Sequence, residues 1–403
     1  MATDLTTATP LQDVLDRLGS GGLATRLATR EESLVLGGVK GPEREVLLAL
    51  AADRRDRTWG STLTYSRKVF IPLTNLCRDR CAYCTFVQPP QSPSAHIMTP
   101  DEVLEVAEAG ERLGCKEALF SLGEKPELRY PQAREELARL GYRDLTDYLR
   151  DMCRRVLEET SLVPHVNAGA LSRGEMDRLR PVTGSMGMML ESVSLRLMEK
   201  GGPHYECPDK HPKVRLRTLQ DAGRLGIPFT TGILIGIGET WAERVDSLLA
   251  IQNVHERFGN IQEVIVQNFR SKPGTPMHDC LEPDLEDMLR TLAAARLLLA
   301  DEISLQAPPN LALGDYGEYI RAGLNDWGGI SPLTLDHINP EAVWPRISEL
   351  RERCESRGFR LRERLTVYPR YLAAPERFIA PEVLPRLTKL VGDSGWAAEQ
   401  HLA

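Results

Sequence analysis

The sequence predicts an α/β protein that folds as a (β/α)8 barrel of the TIM type, with an N-terminal helical extension and a C-terminal tail. About eight short apolar runs alternate with amphipathic stretches of helical length over roughly 300 residues, which is the count that such a barrel needs. Runs that are apolar throughout are typical of parallel strands covered on both faces. An open doubly wound sheet is the alternative, because periodicity does not show whether a sheet closes.

The predicted strands follow one another in the order "VFIPL", "EALFSL", "LVPHVN", "MGMMLES", "FTTGILI", "EVIVQNF", "ISLQA" and, less clearly, "GGISPL". Stretches such as "DEVLEVAEAGERLG" between them have the length and period of helices. One helix start is predicted in detail. Thr99 is its N-cap, Pro100 is the first helical residue, and Glu102 completes a capping box.

Three regions are predicted along the chain. Residues 1–60 contain the helical patterns "LQDVLDRL" and "EREVLLALAADRRD" and form the N-terminal helical extension. Residues 61–370 form the barrel. Residues 371–403, which contain "LAAPERFIAPEVLPRL", are interrupted by proline and are predicted to form a tail packed outside the barrel.

Composition excludes several classes of protein. The chain is 42% hydrophobic and 27% charged, as globular proteins are, and its net charge of −7 argues against nucleic acid or an anionic membrane as the main partner. We find no apolar run of the roughly 18 residues that a transmembrane helix needs. The first residues lack the apolar segment of a secretory signal. We therefore expect a cytoplasmic protein with reduced thiols.

Three cysteines stand together in "NLCRDRCAYCTF", directly after the first predicted strand, where barrel enzymes carry their active sites. Cys77, Cys81 and Cys84 are spaced to bind one soft metal centre. A 4Fe–4S cluster needs three cysteines if one iron stays open. A structural zinc ion needs a fourth ligand, such as His96 or Cys115. The spacing favours the cluster. The remaining cysteines are expected to pack as buried apolar residues: Cys115, Cys153, Cys207, Cys280 and Cys354.

The spacing C-x-x-x-C-x-x-C, with the aromatic Tyr83 before the last cysteine, resembles the signature of the radical S-adenosylmethionine (SAM) enzymes. The resemblance implies that Cys77, Cys81 and Cys84 bind a 4Fe–4S cluster whose open iron chelates the amino and carboxylate groups of SAM. It also implies that an electron from the cluster cleaves SAM to methionine and a 5′-deoxyadenosyl radical.

The same resemblance implies a SAM pocket at the strand ends. After the second strand, Gly123 and Glu124 match a glycine-rich turn that receives the SAM ammonium, although Leu122 replaces its first glycine. Glu191 ends the fourth strand and is expected to meet Arg215, whose planar guanidinium suits the SAM carboxylate. Arg217, on the same predicted helix, is expected to be solvated.

The fifth strand supplies the expected adenine site. Gly232, Ile233, Gly236 and Glu239 in "GILIGIGE" are assigned to the family pattern G-x-I-x-G-x-x-E. A dinucleotide-binding fingerprint is the alternative interpretation of "GIGETW". It fails because Trp241 stands where that fingerprint has its third glycine.

A narrower resemblance covers about residues 60–370. "TYSRKVFIPLTNLCRDRCAYCTF", "VQNFRSKPGTPM" and "GLNDWGGISPLTLDHINPEAVWP" are similar to the G subunits of 7,8-didemethyl-8-hydroxy-5-deazariboflavin synthases. This implies a carbon–nitrogen lyase of deazaflavin coenzyme biosynthesis. Its substrate would be 5-amino-5-(4-hydroxybenzyl)-6-(D-ribitylimino)-5,6-dihydrouracil, the adduct made by the H subunit. The implied partners are that H subunit and an electron donor such as flavodoxin or ferredoxin.

Candidate substrate contacts lie at the predicted strand ends, and each has a purely structural interpretation as well. No residue stands out as a general base. A related radical SAM barrel, of the H-subunit or menaquinone-pathway type, is the first alternative, and a zinc-stabilised binding module is the second. The candidate contacts are His165, Asn167, Gln267, Asn268, Asn325, Asp326 and Trp327, with His204 and Tyr205 in a loop.

Overall fold

Eight parallel strands close into a barrel, as the sequence predicts. The computed structural model describes residues 11–20, 27–312, 314–392 and 395–398. Each strand pairs with the next in sequence, and the first pairs with both the second and the eighth, which closes the sheet. The strands are β1 (Thr62–Pro72), β2 (Glu117–Ser121), β3 (Val163–Asn167), β4 (Ser185–Gly187), β5 (Phe229–Ile235), β6 (Ile261–Asn268), β7 (Ser304–Gln306) and β8 (Asp326–Ile330), with a ninth, β9 (Arg360–Glu363), added outside β1.

Helices surround the barrel and extend it at both ends. The N-terminal extension contains α1 (Leu11–Ser20), α2 (Arg30–Val35) and α3 (Gly41–Trp59). The helices between the barrel strands are α4 (Pro100–Arg112), α5 (Pro131–Arg139), α6 (Leu145–Glu159), α7 (Arg173–Leu179), α8 (Pro212–Arg224), α9 (Trp241–Phe258) and α10 (Leu285–Leu298). After β8 come α11 (Ile347–Glu355), α12 (Pro369–Leu372), α13 (Pro375–Phe378) and α14 (Leu384–Leu390).

The most specific local prediction, the capping box at the start of α4, is confirmed. Thr99 caps α4, its hydroxyl accepts the Glu102 N–H, and the Glu102 carboxylate accepts the Thr99 N–H. All eight predicted strands are present. β4 is only three residues long, and β8 starts at Asp326, two residues before the predicted run. No helix in the described part of the chain is long and apolar enough to cross a membrane.

The C-terminal segment closes the bottom of the barrel, where the strands begin. Arg364, directly after β9, enters the barrel and forms ion pairs with Asp326 (Nε–Oδ2 2.7 Å) and Glu263 (Nη2–Oε1 2.9 Å). Beyond it, an apolar cluster that includes Val367 packs under the first residue of β3. Residues of the predicted tail, such as Tyr371 and Leu387, belong to the same apolar cluster. The predicted boundary at residue 371 falls inside α12, so the structure shows no break there.

The barrel interior contains charged residues as well as apolar ones. Lys68 on β1 pairs with Glu117 on β2 (Nζ–Oε1 2.7 Å), and both side chains are buried. His165 on β3 is buried near this pair, and burial lowers its pKa to about 4. Buried charges need partners, because an unpaired one is far more costly than a buried neutral group.

Candidate active site

A cavity opens at the carboxyl ends of the barrel strands, the end at which TIM-type barrels carry their active sites. It has about 980 Å³ of space between protein atoms, part of it open to solvent. Cys81 and Cys84 from the loop after β1 form one side of it. Residues in or after the carboxyl ends of β2 to β6, and Ile338 and Asn339 in the loop after β8, complete its wall.

The cysteine loop is joined to the turn after β2. The Glu124 N–H donates to Cys77 Sγ at 3.1 Å, and the Gly123 N–H donates to the Thr74 carbonyl at 2.8 Å. A Cβ added to Gly123 would lie 1.9 Å from the Leu76 carbonyl oxygen. Only glycine therefore lets the two loops approach this closely. Burial raises the pKa of the Cys77 thiol.

The three cysteines suit an iron–sulfur cluster better than a zinc ion. All three are free thiols. A structural zinc ion would need a fourth protein ligand beside these three cysteines. The two fourth ligands considered for zinc are engaged elsewhere, since His96 pairs with Glu102 and Cys115 belongs to the main apolar core.

Arg215 offers an unused donor to the cavity. Its Nη2 lies 3.3 Å from Glu124 Oε2, and its Nη1 donates to the Met189 carbonyl. Its Nε is buried without a hydrogen-bond partner. A buried donor without a partner is costly, so this position fits a carboxylate ligand such as that of SAM. Arg217 is solvated as expected, because its side chain is 81% exposed.

Glu191 and Arg215 line the same cavity, as the sequence analysis expected, but the ion-pair partner of Glu191 is a different residue. The Oε1 of Glu191 lies 2.6 Å from the Nζ of Lys210, a residue that the sequence analysis missed. Burial by itself would raise the pKa of Glu191, but Lys210 and Arg215 lower it. Glu191 also has a φ of +65°, which turns the chain sharply after β4. The cavity wall thus carries two buried cation–carboxylate pairs side by side.

Strand β5 presents Leu234 to the cavity in place of Ile233. Ile233 is buried in the main apolar core, whereas Leu234 lines the cavity. The correction follows from the alternation of side chains along a strand, since the assigned pattern was one residue out of register. Gly232 and Gly236 shape the strand and its turn instead of lining the cavity. Glu239 accepts the Gly236 N–H at 2.9 Å.

Three buried carboxyl groups gather beside the cysteine loop. Asp79, Glu124 and Asp209 bring oxygens within 4.8 Å of one another. Burial, with the repulsion of neighbouring carboxylates, raises the pKa of Asp79 to about 7 and that of Asp209 to about 6. Arg78 compensates part of this charge, because its Nε lies 2.8 Å from Asp209 Oδ2.

The loop of residues 203–210, which we name the clamp loop, covers the cysteine loop. His204 was a candidate substrate contact, but it is buried, and its Nε2 lies 2.9 Å from the Tyr83 hydroxyl. Burial lowers the pKa of His204 to about 3, so the ring is neutral. Tyr205 is 43% exposed and does not line the cavity. The clamp loop carries no periodic pattern, so nothing in the sequence placed it against the cysteines.

The seven candidate substrate residues at the strand ends fall into two groups. Asn167, Gln267 and Asn268 line the cavity, and the Oδ1 of Asn268 is buried without a partner. Lys272, which the sequence analysis missed, also lines it, and burial lowers its pKa. The other four support the barrel away from the cavity: His165 bonded to Ser185, Asn325 to Arg296, Asp326 to Arg364, and Trp327 to Cys354.

Comparison with known proteins agrees with this geometry. The model of the radical SAM superfamily matches residues 71–251. The fold is shared with the FeFe-hydrogenase maturase HydG from Carboxydothermus hydrogenoformans (TM-score 0.71, 18% identity, 94% of this chain and 84% of that one). It is also shared with methylornithine synthase, PylB (TM-score 0.66, 18% identity, 86% of this chain and 97% of that one).

Two curated relatives are much closer in sequence. The 7,8-didemethyl-8-hydroxy-5-deazariboflavin synthase of Methanopyrus kandleri is 54% identical over 310 residues, which are 77% of this chain and 92% of that protein. The FO synthase of Streptomyces avermitilis is 50% identical over 369 residues, 89% of this chain. The match spans only 43% of that longer protein. The cofactors of the superfamily are a 4Fe–4S cluster and SAM, and the site described above fits both. The chain belongs to the radical SAM superfamily, in the 7,8-didemethyl-8-hydroxy-5-deazariboflavin synthase family.

Proposed function

We propose that this chain is the G subunit of a deazariboflavin synthase and acts as a carbon–nitrogen lyase. Its substrate is the H-subunit adduct, 5-amino-5-(4-hydroxybenzyl)-6-(D-ribitylimino)-5,6-dihydrouracil. Its products are 7,8-didemethyl-8-hydroxy-5-deazariboflavin, ammonia, methionine and 5′-deoxyadenosine. The high identity to the Methanopyrus kandleri protein over 92% of its length supports this assignment. The longer FO synthase of Streptomyces avermitilis, by contrast, is matched over less than half of its length.

The observation that carries the proposal is the sharing of one cavity by two sets of groups. Cys81, Cys84 and Arg215 are suited to the cofactors, and Asn167 and Gln267 offer amide groups in the same space. The proposed substrate carries a uracil ring, a phenol and a polyhydroxylated chain. Amides both donate and accept hydrogen bonds, so they can recognise such groups.

Each part of the site has a role in this chemistry. When bound, the cluster and SAM supply the radical that removes a hydrogen atom from the substrate. Cys77, Cys81 and Cys84 would hold the cluster. Arg215 would orient the SAM carboxylate through its free Nε, and Glu124, next to it, would accept the SAM ammonium. Fixing the reacting groups in one geometry is a large part of what such a site contributes to rate.

Two partners follow from the proposal. The H subunit supplies the adduct, either as a separate chain or as the remaining part of a longer protein like the relatives that are matched over 43% of their length. An electron donor such as flavodoxin or ferredoxin reduces the cluster. The open side of the cavity gives the adduct a route from one enzyme to the other.

Anaerobic turnover tests the proposal. The reconstituted protein is incubated with SAM, a reductant and the adduct, and deazaflavin fluorescence is measured together with 5′-deoxyadenosine. We expect both products, and neither from a Cys81→Ala variant. Formation of 5′-deoxyadenosine without deazaflavin would overturn the assignment. A second reaction with tyrosine and 5-amino-6-ribitylaminouracil should give no adduct, because that step belongs to the H subunit.

A further inference from the structure

We propose that three exposed arginines beside the cysteine loop form the docking surface for an acidic protein that carries one electron to the cluster. We name Arg80, Arg129 and Arg134 the arginine patch. The inference rests on the cofactor of the superfamily and gives the electron donor of the proposed function a place on the molecule. It is independent of the proposed substrate.

The arginine patch is attached to the cysteine loop through Tyr130. Arg80 directly precedes Cys81, and its Nη2 lies 3.4 Å from the Tyr130 hydroxyl. The guanidinium carbon of Arg129 lies 5.6 Å from the centre of the same ring. Arg129 also donates from Nη1 to the Arg78 carbonyl. Two of the three charges therefore flank one tyrosine, beside the backbone that links the first two cysteines.

The third arginine brings an exposed apolar side chain into the surface. Arg134, in α5, donates from Nη1 to the Glu127 carbonyl at 2.6 Å. The next residue, Leu128, is 61% exposed and is followed directly by Arg129. An apolar side chain with charged and polar groups around it is the usual composition of a surface that binds another protein, and arginine is enriched in such surfaces.

The positive charge of the arginine patch is not neutralised by its neighbours. Its guanidinium groups are bonded to carbonyl and phenol oxygens, and none of its members forms a salt bridge within the described part of the chain. Two acids stand near them in sequence, but Asp79 is buried, and the Oε2 of Glu127 is buried as well. The chain as a whole has a net charge of −7, so this local surface of opposite sign is complementary to an acidic partner.

The position of the arginine patch indicates what that partner does. The cavity lined by Cys81 and Cys84 has to hold SAM and the substrate, and none of the three arginines lines it. A partner bound at the patch leaves this cavity free and still lies next to a cluster ligand, because Arg80 precedes Cys81. An electron carrier needs both properties. One electron leaves the reduced carrier, which is oxidised, and the cluster is reduced by that electron.

Binding and electron delivery can be measured separately. Oxidised flavodoxin, a small acidic carrier, is titrated into the reconstituted protein in a calorimeter at low ionic strength. SAM cleavage to 5′-deoxyadenosine is then driven by reduced flavodoxin or by reduced methyl viologen, a small cation that needs no docking surface. The triple variant Arg80→Gln, Arg129→Gln, Arg134→Gln removes the three charges. Arg139→Gln is the matched control, because this 65% exposed arginine of α5 pairs with Glu136 (Nη2–Oε1 2.6 Å).

We expect the triple variant to bind flavodoxin about tenfold more weakly and to cleave SAM more slowly with it. Methyl viologen should support the wild-type rate in every variant. Added salt should weaken flavodoxin binding more in the wild type than in the triple variant, because salt screens exposed charges. Arg139→Gln should match the wild type.

Iron and sulfide content is measured for every variant. Should the triple variant bind less cluster, the double variant Arg129→Gln, Arg134→Gln replaces it, since it leaves every residue of the cysteine loop unchanged. Unchanged flavodoxin binding would overturn the inference, as would an equal loss in Arg139→Gln or an equal loss of rate with methyl viologen. No measurement here depends on deazaflavin formation, so failure of the proposed function would leave this result standing.

Discussion

The backbone N–H of Glu124 lies 3.1 Å from the sulfur of Cys77, so the turn after β2, to which we assign SAM binding, and the cysteine loop after β1 form one unit. Gly123 makes this approach possible, since a Cβ there would meet backbone atoms of Leu76 and the Cβ of Cys77. The cluster ligands and the SAM contacts should therefore respond together to changes at this junction.

Gly123→Ala should disrupt both functions of this junction. The added methyl group forces the two loops apart, so we expect cluster content to fall by about half or more, with SAM binding lost in parallel. Iron and sulfide analysis and equilibrium binding of SAM measure the two effects. Gly174→Ala is the control, because a Cβ at that exposed position in α7 meets nothing within 4 Å. Equal cluster content in the two variants would contradict the prediction.

Arg215→Gln should weaken SAM binding by about 30-fold or more, because it removes the charged donor and leaves Glu124 buried without that cation. The dissociation constant of SAM, measured on protein with a full cluster, reports the effect. Arg217→Gln makes the same substitution on the same helix, where the side chain is 81% exposed, and should bind SAM normally. Similar losses in both variants would show that Arg215 does not contact SAM.

Asn268→Ala should affect the adduct and not SAM. The Oδ1 of Asn268 is buried without a partner beside the cavity, so we expect the variant to raise the KM for the adduct about tenfold while 5′-deoxyadenosine formation continues. Steady-state kinetics with the ratio of deazaflavin to 5′-deoxyadenosine separates the two effects. Asn253→Ala, at an exposed position of α9, is the control. An unchanged KM would show that Asn268 does not contact the adduct.

The Lys68–Glu117 pair should make stability depend on pH. Burial by itself would raise the pKa of Glu117, but Lys68, His165 and Arg364 outweigh it and lower the pKa to about 2. An unfolded glutamate has a pKa of about 4.3, so the stabilisation is complete above that pH and is lost as pH falls toward 2. We expect the free energy of unfolding to fall by up to about 3 kcal/mol over this range.

Chemical denaturation at a series of pH values below 6 measures this slope. Glu117→Gln should be less stable at pH 7, because Lys68 is left buried without its carboxylate, and should lose less stability on acidification. A variant with the wild-type slope would show that Glu117 does not titrate as described.

The sequence could predict those features that depend on local pattern. The eight strands follow from apolar runs, and the start of α4 follows from the capping preferences of Thr99 and Glu102. The cysteine loop follows from spacing alone. The assignment of Glu124 and Arg215 to one cavity came from the family resemblance, and the structure brings them together.

Contacts set by tertiary packing could not be predicted in this way. Lys210 and Cys207 lie in an irregular loop, and nothing local shows that it folds over the cysteines. Lys68, Glu117 and Arg364 are charged, and charged residues are normally expected at the surface, so a charged barrel interior contradicts the usual pattern. Ile233 was assigned to the adenine site by its motif alone. Because side chains alternate along β5, it is Leu234 that lines the cavity.

Arg364 is made late in synthesis of the chain, after all eight barrel strands. Glu263 and Asp326 are buried in the barrel, and their ion-pair partner in the structure is this one guanidinium. A nascent chain that has released only the strands therefore holds two buried carboxylates that lack this partner, at a cost that favours an open sheet. We therefore expect the barrel to close stably only after residue 364 has been made.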